Sequence, residues 1–212
     1  KAIASQVSQV GYWIIAAQIG IALALAIPGE AVMGLVGPNF VGGTGALAFL
    51  LAAEAVAATA VVSESALVYI ARHRNLLISL SMLLLQAALS VAFIQISLYM
   101  AWGPLFQAAA VAAALMVALA YASVVKAIFL SKLLGAPVNG WRWTLLIAIG
   151  VASAIDLVNR GLALPLDIPA ATRLPEWAEL IVGIPMILGS YAWVIWKWGF
   201  GPEDRTLFKM KD

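Results

Sequence analysis

The sequence predicts an all-α, polytopic integral membrane protein of about six transmembrane helices with both termini cytoplasmic, and three observations carry that prediction. The first is composition: 64% of the 212 residues are hydrophobic and only 10% are charged, with a mean hydropathy of +1.02. Soluble chains carry roughly 45–50% apolar and about 25% charged residues, and a chain of this size has too much surface to hide the excess. The second is run length, because about 20 apolar residues at ~1.5 Å each cross ~30 Å of hydrocarbon. Six runs of that kind are present, near residues 11–36, 46–70, 76–100, 108–130, 143–164 and 177–198. The third is the placement of basic residues. With the N-terminus inside, Lys1, Arg72, Arg74, Lys126, Lys132, Arg142, Lys197, Arg205, Lys209 and Lys211 fall on or near the inner side, and only Arg160 and Arg173 fall outside. That bias is the one expected of cytoplasmic loops, and it fixes an even number of spans.

Helices are preferred to barrel strands because the runs are uniformly apolar and do not alternate over about ten residues. Lipid offers the backbone no hydrogen-bond partner, so continuous helices follow. Between the runs, "GPNFVGGTG", "ARHRN", "WGPLFQ", "LLGAPVNG" and "LPLDIPAATRLPE" supply turn chemistry. Trp13, Trp141, Trp143, Trp196 and Trp198 fall at the inner interface and Trp102 and Trp177 at the outer one, as aromatic belts require. Residues 1–212 read as a single transmembrane helical domain. The sequence pI of about 9.0 is then topology, and nucleic acid is not an expected partner. The chain has no cysteine, which excludes disulfides and thiolate chemistry. It opens on Lys1 with no basic leader or small-residue cleavage site ahead of the first run, so it reads as cut from a longer protein or processed.

Each span carries few polar residues, and these are the candidates for function. In the first, Pro28 removes a backbone hydrogen bond and bends the helix. Glu30 follows at the bend, either as the acid of a transporter-like broken helix or beside a simple outer-end kink. The second span carries Glu54 and Glu64. Ten positions leave them about 80° apart and ~15 Å apart along the axis, in broadly the same sector. A carboxylate there costs at least ~2.5 kcal/mol and is expected to face protein or water. Small neighbours, Ala52, Ala53, Ala57, Ala58, Thr59 and Ala60 about Glu54 and Ser63 and Ser65 about Glu64, permit close helix approach or leave room for a ligand. Either the acids are protonated or hydrogen-bonded and serve packing, or they line a cavity. Glu54, the deeper, is the stronger cavity candidate. Gln18, Gln86 and Gln95 are expected to bond between helices. The fourth span is alanine-rich all round, as suits a helix buried among others. In the fifth, Asp156 and Arg160 have the spacing and order of a helical ion pair, read as structural. His73, between Arg72 and Arg74, reads as a solvated turn residue.

Catalysis has little to stand on: the sequence holds no phosphate-binding glycine loop, no zinc-type histidine spacing and no nucleophile elbow. Enzyme is the weaker class, and no catalytic residue, cofactor or metal site is expected.

Three stretches carry a resemblance. "LVGPNFVGGTGALAFLLAAEAVAATA" resembles the region of bacterial polysaccharide biosynthesis proteins in which a span follows a Gly-Pro-acid-Phe turn. "YIARHRNLLISLSMLLLQAALS" is similar to their basic hairpin and following span, and "KWGFGPEDRTLFKMKD" to their C-terminal tail, with Gly201, Pro202, Glu203, Asp204 and Arg205 in the usual run. The family is the oligosaccharide-lipid flippases of the multidrug/oligosaccharidyl-lipid/polysaccharide superfamily. The resemblance implies a bacterial inner-membrane carrier of twelve to fourteen helices in two lobes, moving a lipid-linked oligosaccharide by alternating access. This chain would be its C-terminal portion. Membrane lipid is then a partner, and the lipid-linked oligosaccharide is one when the N-terminal lobe is present. Asn39 stands where the family commonly has an acid, and its cavity-lining basic residues have no clear match here, so substrate contacts do not carry over. The alternative is a structural or accessory subunit of a larger membrane complex, photosynthetic or respiratory, packed against other membrane subunits.

Overall fold

The computed structural model describes residues 2–159, 179–201 and 204. Among them 90% are helical and none lies in a strand. The order is α1 (Ala2–Ala26), α2 (Gly29–Val36), a 3-10 turn (Pro38–Gly43), α3 (Thr44–Ile70), α4 (Arg72–Tyr99), α5 (Pro104–Leu134) and α6 (Trp143–Asn159). After residue 178 a π-helical turn (Glu179–Gly183) leads into α7 (Ile184–Val194), and a second π turn (Ile195–Gly199) follows it. Five segments among the described residues are long and apolar enough to cross a membrane: Ala4–Ala26, Pro38–Ile70, Arg72–Tyr99, Pro104–Leu134 and Leu180–Gly199. The chain is thus an all-α, multi-pass membrane protein. The described part of the expected fifth span, α6, has 17 residues, and its continuation to residue 164 lies outside the described residues.

Local chemistry explains the breaks. The expected bend at Pro28 is a full interruption, since its ring has no N–H and clashes with the carbonyl four residues back. The backbone resumes at once, with the Val32 N–H donating to Pro28 O at 2.9 Å. Helix α2 stops at Gly37, whose φ of 152° is one that residues with a Cβ rarely adopt. The "ARHRN" segment, expected as a turn, is not one: Ala71 alone (φ −148°, ψ 53°) separates α3 from α4. Arginine and histidine carry no helix-breaking penalty of the glycine or proline kind, so Arg72, His73 and Arg74 form the first turn of α4.

The described helices fall into two compact units. The first holds residues 1–18 and 42–141, and its centre is the packing of α3 on α5. Buried alanines supply it, Ala53, Ala57 and Ala60 on α3 and Ala114, Ala118 and Ala122 on α5. In lipid, helices associate through close van der Waals packing and interhelical hydrogen bonds, and small residues allow both. Ser123 Oγ donates to the Val56 carbonyl of α3 at 2.7 Å, which requires that close approach. At one end Ala4, Leu67, Leu130 and Val138 form a buried cluster. The loop after α5 is stitched down there: Val138 N donates to Ser131 Oγ at 2.9 Å, Asn139 N to Ser8 Oγ at 3.1 Å, and Trp141 Nε1 to Thr59 Oγ1 at 3.1 Å. Gly140 makes that possible, because a Cβ on it would sit 3.0 Å from the Gly11 backbone.

The second unit holds residues 19–41 and 142–212, and α6 packs on α7 within it. Asp204 is fully buried. Its Oδ2 accepts from Arg142 Nη1 at 2.8 Å and from the Gly201 N–H at 2.7 Å, while Arg142 Nη1 also donates to Gly199 O at 2.7 Å. Arg142 therefore clamps the start of the C-terminal "GPEDR" stretch.

Candidate functional site: an interhelical charge network

The i+4 stripe of α5 that begins Ala114, Ala118, Ala122 continues to Lys126 and Leu130, all buried. On α3 the buried positions Ala53, Ala57 and Ala60 lead to Glu64 and then Leu67. Each charged residue thus sits on the helix face that the alanines turn toward the partner helix, and the two meet. Lys126 Nζ lies 2.7 Å from Glu64 Oε2, with side-chain exposures of 4% and 42% respectively. The other carboxylate oxygen, Oε1, accepts from Asn75 Nδ2 of α4 at 3.3 Å. One network therefore joins α3, α4 and α5, about six residues or ~9 Å inside the end of α3.

Burying an ammonium costs several kcal/mol unless a counter-ion and hydrogen bonds offset it. Glu64 supplies the counter-ion here, and its partial exposure keeps its own desolvation smaller than that of Lys126. The network is incomplete: Asn75 Oδ1 is buried without a hydrogen-bond partner, as is Ser97 Oγ further along α4. Among the described residues no other polar group reaches Asn75 Oδ1, so this acceptor stays buried and unpaired beside the paired lysine.

The other expected candidates do not join this cluster. Glu54 is exposed, so the described helices do not enclose it as a packing residue, and among the described residues it makes no hydrogen bond or ion pair. Its neighbours Ala53, Ala55, Ala57 and Ala58 are buried, which leaves the carboxylate on a stripe with the exposed Leu50, Val61 and Ser65. Glu30 is also exposed and lies in the first turn of α2, where a negative charge suits the helix dipole. Arg160 and the side chain of Asp156 lie outside the described residues. His73 is exposed, on the first turn of α4. No group of three or more His, Asp or Glu side chains able to hold a metal converges among the described residues.

Lys126 and Asn75 are the residues that sequence reasoning missed as site members. The signal for Lys126 was present, because it is the only charged residue between Asn75 and Lys132 and it continues the Ala118, Ala122 spacing. The signal was masked by its proximity to a helix end, where a lysine ordinarily snorkels to the interface.

Fold and site together define a multi-pass α-helical membrane protein with a partly buried charge network between three of its helices. Comparison with protein-family models, curated proteins and solved structures gives no match.

Proposed function

We propose that the chain is the C-terminal portion of a flippase that moves a lipid-linked oligosaccharide across the bacterial inner membrane by alternating access. The observation that carries this reading is Glu54. It lies ten residues from the start of α3, ~15 Å along the axis, and so at about the middle of a ~30 Å hydrocarbon layer. An exposed carboxylate at that depth belongs against water or another polar surface, not acyl chains. A polar cavity wall meets that requirement, and a carboxylate there accepts hydrogen bonds from sugar hydroxyls. The interruption of the first span at Pro28, with Glu30 exposed just beyond it, is in keeping with the broken helices of transporters.

The test is Glu54→Ala in the full-length protein. Polysaccharide export should fall while the amount of protein in the membrane stays the same. Normal export would remove Glu54 from the mechanism and with it the main support for the reading.

Helix α4 favours the second reading, an accessory subunit of a larger membrane complex. Of its 28 residues only Asn75 and Ser97 are buried, which leaves a long face for neighbouring subunits. An intact mass near 22.3 kDa for the native protein, with stoichiometric co-purification of other membrane chains, would favour this reading; a mass about twice as large would favour the flippase.

A further inference from the structure

Among the described residues of the first unit, positive charge is gathered at one end. Between Glu30 and Arg72 the only charged residues are Glu54 and Glu64, and none occurs between Arg74 and Lys126. Since Glu64 and Lys126 neutralise each other, the cations Arg72, Arg74 and Lys132 remain at that end, with Glu54 ten residues before Glu64 on α3. All three are exposed, and none makes an ion pair among the described residues. Arg72 and Arg74 also occupy the first turn of α4, with no acid in that turn. Positive charge is disfavoured at a helix N-terminus by the backbone dipole, so this arrangement lacks an anion.

An apolar groove lies at the same end. It is an open, shallow depression of about 440 Å³ lined by Ala127, Ile128, Ser131, Lys132 and the segment 135–138. Lys132 is its one charged wall residue. Arg74 stacks its guanidinium 5.5 Å from the centre of the Phe129 ring, three residues and one turn from Lys132 on α5. Stacking leaves the donor edge of a guanidinium available for bidentate contact with a phosphate. Lys132 edges this apolar trough at the end of a membrane-spanning helix, and Arg74 lies over Phe129 one helical turn away, an arrangement that suits a phosphate above an acyl chain.

We propose that this end of the first unit binds an anionic phospholipid, with the phosphate on Arg74 and Lys132 and an acyl chain along the groove. Charge complementarity selects an anionic headgroup over a zwitterionic one, and the apolar lining selects a lipid over a free anion. Basic pockets at the ends of transmembrane helices recognise lipid headgroups in this way.

The test is native mass spectrometry of the detergent-purified protein after incubation with equal amounts of phosphatidylglycerol and phosphatidylcholine. The wild type should retain phosphatidylglycerol preferentially. Arg74→Gln and Lys132→Gln should each weaken that preference about fivefold, and the double variant should abolish it. The charge-conserving pair Arg74→Lys and Lys132→Arg should keep the preference, which separates loss of charge from loss of fold. Equal retention of both lipids by the wild type, an unchanged preference in the double glutamine variant, or full displacement of the lipid by inorganic phosphate would each overturn the proposal.

Discussion

Helix α3 carries two glutamates ten residues apart, and the fold treats them in opposite ways. Glu64 meets a lysine and an amide at its own level, whereas Glu54 meets neither. The difference does not come from depth alone, since both lie within a segment apolar enough to cross the bilayer. It comes from what the facing helix offers. Opposite Glu64, α5 breaks its alanine stripe with Lys126; around Glu54 the buried neighbours are alanines, with no donor to give. One carboxylate is thereby tied to the stability of the first unit, and the other is left available to something outside it.

The largest expected effect breaks the paired side of that comparison. Glu64→Ala leaves the Lys126 ammonium buried without its counter-ion and should destabilise the protein by about 3 kcal/mol, at the lower end for a broken buried pair because Glu64 is partly solvated. Lys126→Met should cost less, since the carboxylate it abandons reaches solvent. The double replacement Glu64→Leu with Lys126→Met should recover most of the loss, because a buried pair can be replaced by apolar side chains with little net cost. Thermal unfolding in detergent reads all three. Equal losses for the two single variants would mean that the burial asymmetry does not govern the pair.

A second variant tests the surface that brings the pair together. Ala118 is fully buried in the α5 stripe one turn before Ala122, and Ala118→Leu adds volume where two backbones approach. Overpacking of this kind costs about 1–3 kcal/mol. Because separation of α3 from α5 also pulls Lys126 away from Glu64, the double variant Ala118→Leu with Glu64→Ala should lose less than the sum of the two single losses, as coupled sites do.

How much of this was legible in the sequence follows from the same physics. The apolar runs were, because they report the solvent they face: α3, α4 and α5 depart from the expected bounds by at most four residues, whereas the first long helix runs Ala2–Ala26 where 11–36 was expected. Pro28 was legible as a bend through its missing N–H. The junction at Ala71 was not, because the polarity of "ARHRN" suggested a loop, while polarity at a helix end is equally compatible with a charged first turn. Glu64 was legible as a polar group facing other helices, but its partner was not. Lys126 lies 62 residues away, and nothing in a single sequence says which helices are neighbours. The Asp204 clamp was hidden for the same reason, as Arg142 precedes it by 62 residues.

A smaller effect is expected at Ser123, whose hydroxyl donates to the Val56 carbonyl across the α3–α5 contact. Ser123→Ala removes the bond but keeps the small side chain, and interhelical hydrogen bonds in membranes average about 0.6 kcal/mol. The loss should fall near that value. A loss several times larger would show that the hydroxyl, and not the alanine surface, sets the spacing of the two helices.

The smallest effect on stability belongs to Glu54, and it sharpens the comparison most. Glu54→Ala removes an exposed carboxylate that makes no hydrogen bond or ion pair among the described residues, so nothing within the first unit is left unpaired. Alanine is also the better helix former. The midpoint of unfolding should therefore change by no more than about 0.5 kcal/mol, the range of surface substitutions, in the same detergent assay in which Glu64→Ala loses about 3 kcal/mol. On the proposal that Glu54 lies at mid-membrane depth, such a carboxylate carries a cost of insertion without stabilising the fold, and contacts made outside the unit would offset it. Should Glu54→Ala instead destabilise the protein as strongly as Glu64→Ala, Glu54 would have a structural partner in this chain and could not be an open group on a cavity wall.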